Sequence, residues 1–479
     1  MTTASSPQST AAQGHAAHTR ADHRQEGLPG TFQRAVKVTM LGAGSHFTHP
    51  LMNDILSIGG AERGEVALVD TDERRLKPMA QIVQRLIEHY GKADGWTVTA
   101  TTDRAEALPG TDYLINSIDV AGVDCVRHDN DIPLKYGIDQ CIGDTIGPGG
   151  LFKALRTVPV WLDILRDAER LCPQAIVLNY TNPMSILCLA AGRAVPAMPV
   201  IGLCHSVQLT SKKLARDAEV PYEELTWKCA GINHLAWFTQ LEHGGKDLYP
   251  TLFEKVRDRA GEVYESDPVR YDMMLHFGAF ITESSGHLSE YLPYYRKTDE
   301  TRQTYCRDGY RGGSSFYADN WPDWRKAQDE KRDRILSGEE ELARLRTHEY
   351  AAWIIEGREK DTPVRVHGNV MNRAGDGGGG QLITNLPADG CVEVACMIDR
   401  TGINPTRFGM LPRQMAAVCD WNMRTFDLAA EACIHKSKEA AIHALLLDPL
   451  SAAVCTPAEI KQMALEMFEA ERDYLPGYE

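Results

Sequence analysis

The chain predicts an α/β fold: a doubly wound parallel sheet with an intimately packed α+β C-terminal lobe. Two observations predict it. Five short, continuous apolar runs alternate with amphipathic segments over the first 205 residues, the pattern of strands buried on both faces of a parallel sheet. Each run also ends in glycine, a polar residue or a metal-binding residue, as strands do when their carboxyl ends form a cleft.

The first run, Val36 to Leu41, ends in Gly42-Ala43-Gly44-Ser45 and leads into a helical pattern from Pro50 to Ile58. Val66 to Val69 is the second strand and ends on Asp70. Tyr113 to Ile115 is the third, with Asn116 to Asp119 after it. Ala175 to Leu178 is the fourth, running into Asn179-Tyr180-Thr181-Asn182-Pro183, and Pro199 to Leu203 is the fifth, delivering Cys204. Leu151 to Leu171 is an amphipathic helix between the third and fourth. Beyond residue 205 the pattern changes. Lys228 to Leu241 reads as strand, 253–360 as polar helix with tyrosine-rich loops, and Glu393 to Ala470 as largely helical. Gly375 to Gly380 reads as a surface turn.

These limits divide the chain into a disordered tail over 1–34, a nucleotide-binding domain over 35–205 and a second domain over 206–479. The tail is rich in Ala, Thr, Ser, Gln and His and has no apolar stretch. The net charge of −15, from 51 basic and 66 acidic residues, argues against nucleic-acid or anionic-membrane partners. No run of about twenty apolar residues predicts a membrane-spanning helix. Twelve cysteines without CxxC pairs read as reduced thiols of a cytoplasmic protein.

Gly42 permits a tight turn and Gly44 a close approach of backbone to phosphate, with Ser45 opening the helix behind them. Phe47 stands where the usual fingerprint has its third glycine. Asp70 is placed to accept hydrogen bonds from ribose hydroxyls, which favours NAD over NADP. Cys204 in Cys204-His205-Ser206-Val207 and His234 in Gly231-Ile232-Asn233-His234 can together hold one divalent metal. Taken singly, either would be an ordinary core residue. Two protein ligands leave open positions, which suits a catalytic ion that also binds substrate. The segment Gly143 to Gly150 before Arg156 is either a rigid turn or a loop that closes over cofactor and substrate.

At these motifs, joined by Gly147-Pro148-Gly149-Gly150, Leu386-Pro387 and Cys391-Val392-Glu393-Val394, the chain resembles glycoside hydrolase family four, the NAD- and manganese-dependent glycosidases. The resemblance runs over nearly the whole length after residue 35. It implies a Rossmann-like nucleotide domain of the lactate/malate dehydrogenase type. Cys-His-Ser-Val is similar to the α-galactosidases of the family, as are Thr282-Glu283-Ser284-Ser285 and Leu475-Pro476-Gly477.

Most glycosidases work with two carboxylates; this family is an exception. The resemblance implies hydrolysis of terminal α-D-galactosides by oxidation at C3, deprotonation at C2 and elimination of the aglycone. It makes NAD and Mn2+, or another divalent metal, the cofactors. It makes Cys204 and His234 the metal ligands, His205 the proton donor, and Asn182 and Asp119 substrate contacts. The C2 base falls on Glu283, with Ser284, Tyr291 and Asp272 as alternatives. A homodimer or homotetramer is the implied assembly. The alternatives are α-glucosidase or α-galacturonidase activity by the same chemistry, a plain NAD-dependent dehydrogenase of the 2-hydroxy-acid type, and a non-catalytic sensor of sugar or NAD.

Overall fold

The computed structural model describes residues 19–20, 27–342, 344–373 and 380–479. Six strands run parallel: β2 (Val36–Leu41), β3 (Gly64–Val69), β4 (Trp96–Thr101), β5 (Tyr113–Asn116), β6 (Ile176–Asn179) and β7 (Val200–Gly202), in the spatial order β4-β3-β2-β5-β6-β7. Strands β5 and β6 are buried at every position, three apolar residues followed by one asparagine in each. β4 was not read from the sequence. It is an edge strand that alternates Thr with Trp, Val and Ala, so it lacks an apolar run.

The sheet does not stop at β7. Gly202 pairs with Asn369 of the antiparallel β12 (Val364–Met371), and β13 (Cys391–Asp399), β8 (Leu225–Ile232) and β9 (Leu235–His243) follow. The second lobe is therefore an extension of the first lobe's sheet. The closing segment opens with β13 and β14 (Gly402–Pro405), where helix was expected, and turns helical only from Arg413. Hydrophobic residues from Leu28 to Tyr478 form one continuous core.

Part of the segment read as a tail belongs to the fold. β1 (Thr19–Arg20) pairs with Val364 and Arg365 of β12. Leu28 is buried and its N–H donates to Glu356, while Arg34 pairs with Asp112 and Glu359. Composition averaged over the segment hides these few anchoring residues. Residues 374–379, most of the expected glycine turn, lie outside the described residues.

Candidate active site

The parallel strands deliver their polar ends to one side. Gly42 has φ 72°, and a Cβ there would lie 2.5 Å from the Ser117 carbonyl oxygen at the end of β5, so glycine is required. At Gly44 a Cβ would meet Arg75 at 2.7 Å and Asp70 at 2.9 Å. Asp70 takes the Gly44 N–H on Oδ2 (2.7 Å) and the Asp72 N–H on Oδ1 (2.9 Å), which ties the glycine turn to the tip of β3. Ser45 Oγ accepts from the Phe47 N–H (3.2 Å). A cleft of about 600 Å³ opens over this turn, lined by Gly42, Ser45, Asp70 and Asp119. Arg75 and Arg325, which sequence reasoning missed, also line it.

A second cleft, of about 730 Å³, contains Cys204, His205, His234 and Glu283. Phe47, Asp144, Tyr180, Asn182, Tyr317 and Trp321 line both clefts, so the two are continuous. Phe47, at the third glycine's place, packs edge-on to Tyr180 at 5.0 Å and forms part of the shared wall. Asp119 lines the nucleotide side and is absent from the Cys204 cleft, whereas Asn182 reaches both.

Cys204 follows β7, and His234 sits at φ 61° in the two-residue turn between β8 and β9. The register of that hairpin fixes where the imidazole points. Its Nε2 lies 3.4 Å from Cys204 Sγ, a spacing at which both donors can reach one ion at about 2.0–2.3 Å. Burial and the neighbouring His287 push His234 down to about 3, so the imidazole is neutral, as a ligand must be. Burial, with Glu393 and Glu283 nearby, pushes the Cys204 thiol up. A cation at this point reverses that penalty, so the donor pair fits a divalent metal.

Around the pair stand groups the sequence did not single out. His287 Nδ1 is 2.8 Å from Glu283 Oε2 and its ring packs on His234 at 4.4 Å between centroids. Asp144, in the glycine-rich loop before Arg156, lies 3.2 Å from Asn182 Nδ2 and 3.6 Å from Lys153 Nζ. That loop is fixed from below, because Glu290 accepts the N–H groups of Cys141 (2.5 Å) and Ile142 (2.6 Å). Arg156 itself is buried in a structural ion pair with Asp129 and Glu471. Tyr310, Tyr317 and Trp321, around the start of the helix Phe316–Ser337, complete the wall. Their only signal was the density of aromatic residues between 310 and 324.

The proposed bases separate by position. Glu283, at φ 80°, and Ser284 line the cleft. Tyr291 is fully buried, 6.5 Å from His234 between ring centroids, and its hydroxyl has no hydrogen-bond partner among the described residues. Asp272 is bound to Arg259 (2.7 Å) and to the Tyr295 hydroxyl (2.9 Å) outside the lining, which removes it. His205 is near Glu349 (3.4 Å), and that carboxylate raises its pKa.

Known proteins share this arrangement of chain. Residues 37–220 match the family 4 glycosyl hydrolase model and 229–451 its C-terminal domain. An α-galactosidase of Bacillus subtilis (strain 168) is 36% identical over 448 residues, covering 92% of this chain and 99% of its own. One from Rhizobium meliloti (strain 1021) is 36% identical over 461 residues, covering 92% and 89%. Among solved structures, a 6-phospho-α-glucosidase from gut microorganisms in complex with NAD and Mn2+ superposes with a TM-score of 0.75 at 20% identity, covering 93% of this chain and all of that one. Both halves of the chain and the motifs that meet in its cleft thus lead to one assignment: it belongs to family 4 of the glycosyl hydrolases and is a glycoside hydrolase.

Proposed function

We propose that the enzyme hydrolyses terminal α-D-galactosides, with NAD and a divalent cation, Mn2+, as cofactors. The route is transient oxidation at C3 of the sugar, deprotonation at C2 and elimination of the aglycone. One observation carries the reading: a Cys204–His234 pair 3.4 Å apart, in a cleft that shares its walls with the glycine-turn cleft. A two-carboxylate hydrolase needs neither feature.

When bound, NAD supplies a reversible hydride acceptor and the cation a Lewis acid. Gly42, Gly44, Ser45 and Asp70 would hold the dinucleotide, and Cys204 and His234 the cation. His205, whose pKa the Glu349 carboxylate raises, is suited to give a proton to the leaving oxygen. Glu283 is held ionised by His287, and it faces the cleft as the acceptor of the C2 proton. Asn182 and Asp144 present hydrogen-bonding groups to sugar hydroxyls.

The names of the relatives at 36% identity support galactosides. So does charge: the described lining of the Cys204 cleft contains no Lys or Arg, and His205 and His287 each face a carboxylate. A sugar phosphate or uronate would find no free cation there. Twelve unpaired cysteines fit a cytoplasmic location, and we infer a homodimer or homotetramer from the family.

The test is hydrolysis of nitrophenyl α-galactoside with NAD and Mn2+ each withheld. Turnover should require both, and should exceed that of the α-glucoside and α-galacturonide. Undiminished turnover after NAD is stripped would sink the redox route. Faster cleavage of either other glycoside would move the substrate assignment.

A further inference from the structure

Away from the cleft, a second group of metal-ligating side chains converges. Cys125 and His128 lie three residues apart on the helix Gly122–Lys135, a spacing that puts both on one face. Glu471 closes the helix Pro457–Ala470, which packs against that face. One donor atom from each of the three falls within 4.8 Å of the others.

Cys125 and Glu471 are fully buried and His128 is half-buried. Two donors there are unsatisfied: His128 Nδ1 and Glu471 Oε1 are buried without a hydrogen-bond partner among the described residues. Such atoms are costly unless something binds them. Charge is unbalanced as well. Arg156 gives hydrogen bonds to Glu471 Oε2 (2.6 Å) and to both oxygens of Asp129 (3.0 and 2.6 Å), so one guanidinium serves two buried carboxylates beside a thiol. Burial and Asp129 raise the Glu471 pKa, which is how a carboxylate lacking enough countercharge behaves.

We propose that Cys125, His128 and Glu471 form a second divalent-cation site, structural in role, for an ion of the zinc class. A thiolate, an imidazole and a carboxylate are the donors such an ion prefers. Three protein donors leave a fourth position, which water can reach from the exposed side of His128. As the ion enters, the Cys125 proton and the proton held by Glu471 leave to solvent, so one dication replaces two protons where two carboxylates share one arginine. The ion would cross-link the C-terminal segment to the helix that starts beside Asp119, at the edge of the nucleotide cleft. The alternative is a proton held between Glu471 and Asp129, with Cys125 as inert packing.

The experiment removes the catalytic thiolate first, so a thiolate-to-cobalt band cannot come from the proposed active site. Full-length Cys204→Ser protein is stripped with chelator and titrated with Co2+, then with Zn2+. Expected is one equivalent of Co2+ with a thiolate-to-cobalt charge-transfer band, lost when Zn2+ displaces it. Zn2+ should raise Tm by at least ~2 °C. Adding Cys125→Ser should abolish the band, and adding His128→Ala or Glu471→Gln should weaken Zn2+ binding at least about tenfold. The proposal falls if the Cys204→Ser protein takes up no Co2+. It falls equally if the band survives Cys125→Ser, or if Zn2+ shifts the Tm of the His128→Ala and Glu471→Gln proteins as much as that of their parent.

Discussion

His287 stands between two carboxylates, with Nδ1 2.8 Å from Glu283 Oε2 and Nε2 3.7 Å from Asp144 Oδ1. His287 is buried and the two carboxylates are half-buried, so their charges set one another: the imidazole is raised well above its usual range and both carboxyls are held below theirs. A protonated His287 therefore keeps Glu283 ionised in the cleft.

Removing that imidazolium should show in the pH profile. With His287→Gln, Glu283 loses its main countercharge and its pKa rises, so its ionised form appears only at higher pH. The acid limb of kcat against pH is expected to move up by at least ~1 unit. A limb that stays in place would take Glu283 out of the base role.

Glu283→Gln tests the same role by isotope. Turnover should fall about 10²–10⁴-fold. In heavy water the wild-type product is expected to carry deuterium at C2, and the variant should lose that label in step with its turnover. Labelling at the wild-type rate would shift the base to Tyr291 or Ser284.

Cys204→Ser and His234→Ala should each lower kcat/KM at least about 10³-fold and abolish the response to Mn2+. Their Tm should stay close to that of the metal-free parent, since both residues sit in turns beyond strand ends. Calorimetric binding of Mn2+ provides the check: retained affinity would remove the ligand assignment.

Asp70 has two tasks, holding the Gly44 N–H and facing the cleft. Asp70→Asn keeps an acceptor for Gly44 but drops the charge that would repel a 2′-phosphate. The preference for NAD over NADP is expected to shrink at least about tenfold, read from Kd values for both nucleotides. An unchanged ratio would leave Asp70 with its structural task alone.

Asp448 offers a stability test remote from the cleft. It caps the helix Pro449–Val454 by accepting the Ser451 N–H (2.8 Å), while Oδ1 is buried without a partner, and burial raises its pKa to about 6. A raised carboxyl favours the folded state at low pH, and that contribution fades as pH climbs from about 4 through 6. Asp448→Asn should therefore gain stability relative to wild type as pH rises from 4 to 8, reaching about 1–3 kcal/mol at pH 8. Denaturant melts at both pH values decide it, and a difference independent of pH would refute the assignment.

Much of the site was legible because it lies at strand ends. Apolar runs end where the sheet ends, and the next one to three residues are free to be functional: Gly42, Asp70, Asn182 and Cys204 all follow that rule. His287, Asp144 and the aromatic wall from Tyr310 to Trp321 obey no such periodicity. They arrive from loops and helix starts distant in sequence, and only packing brings them to the cleft. Asp272 illustrates the converse: its residue type suited a base, yet Arg259 and Tyr295 occupy it elsewhere.

The order of residues along the chain determined the parallel sheet, the glycine turn and the presence of a thiol and an imidazole suited to a metal, since local hydrophobic pattern and residue chemistry suffice for these. Tertiary structure alone decided that the sheet continues unbroken into the second lobe, that Asp119 faces the nucleotide side, and that His287 fixes the charge on Glu283. Those outcomes depend on strand order, burial and distances of a few ångströms between remote residues, which no local pattern encodes.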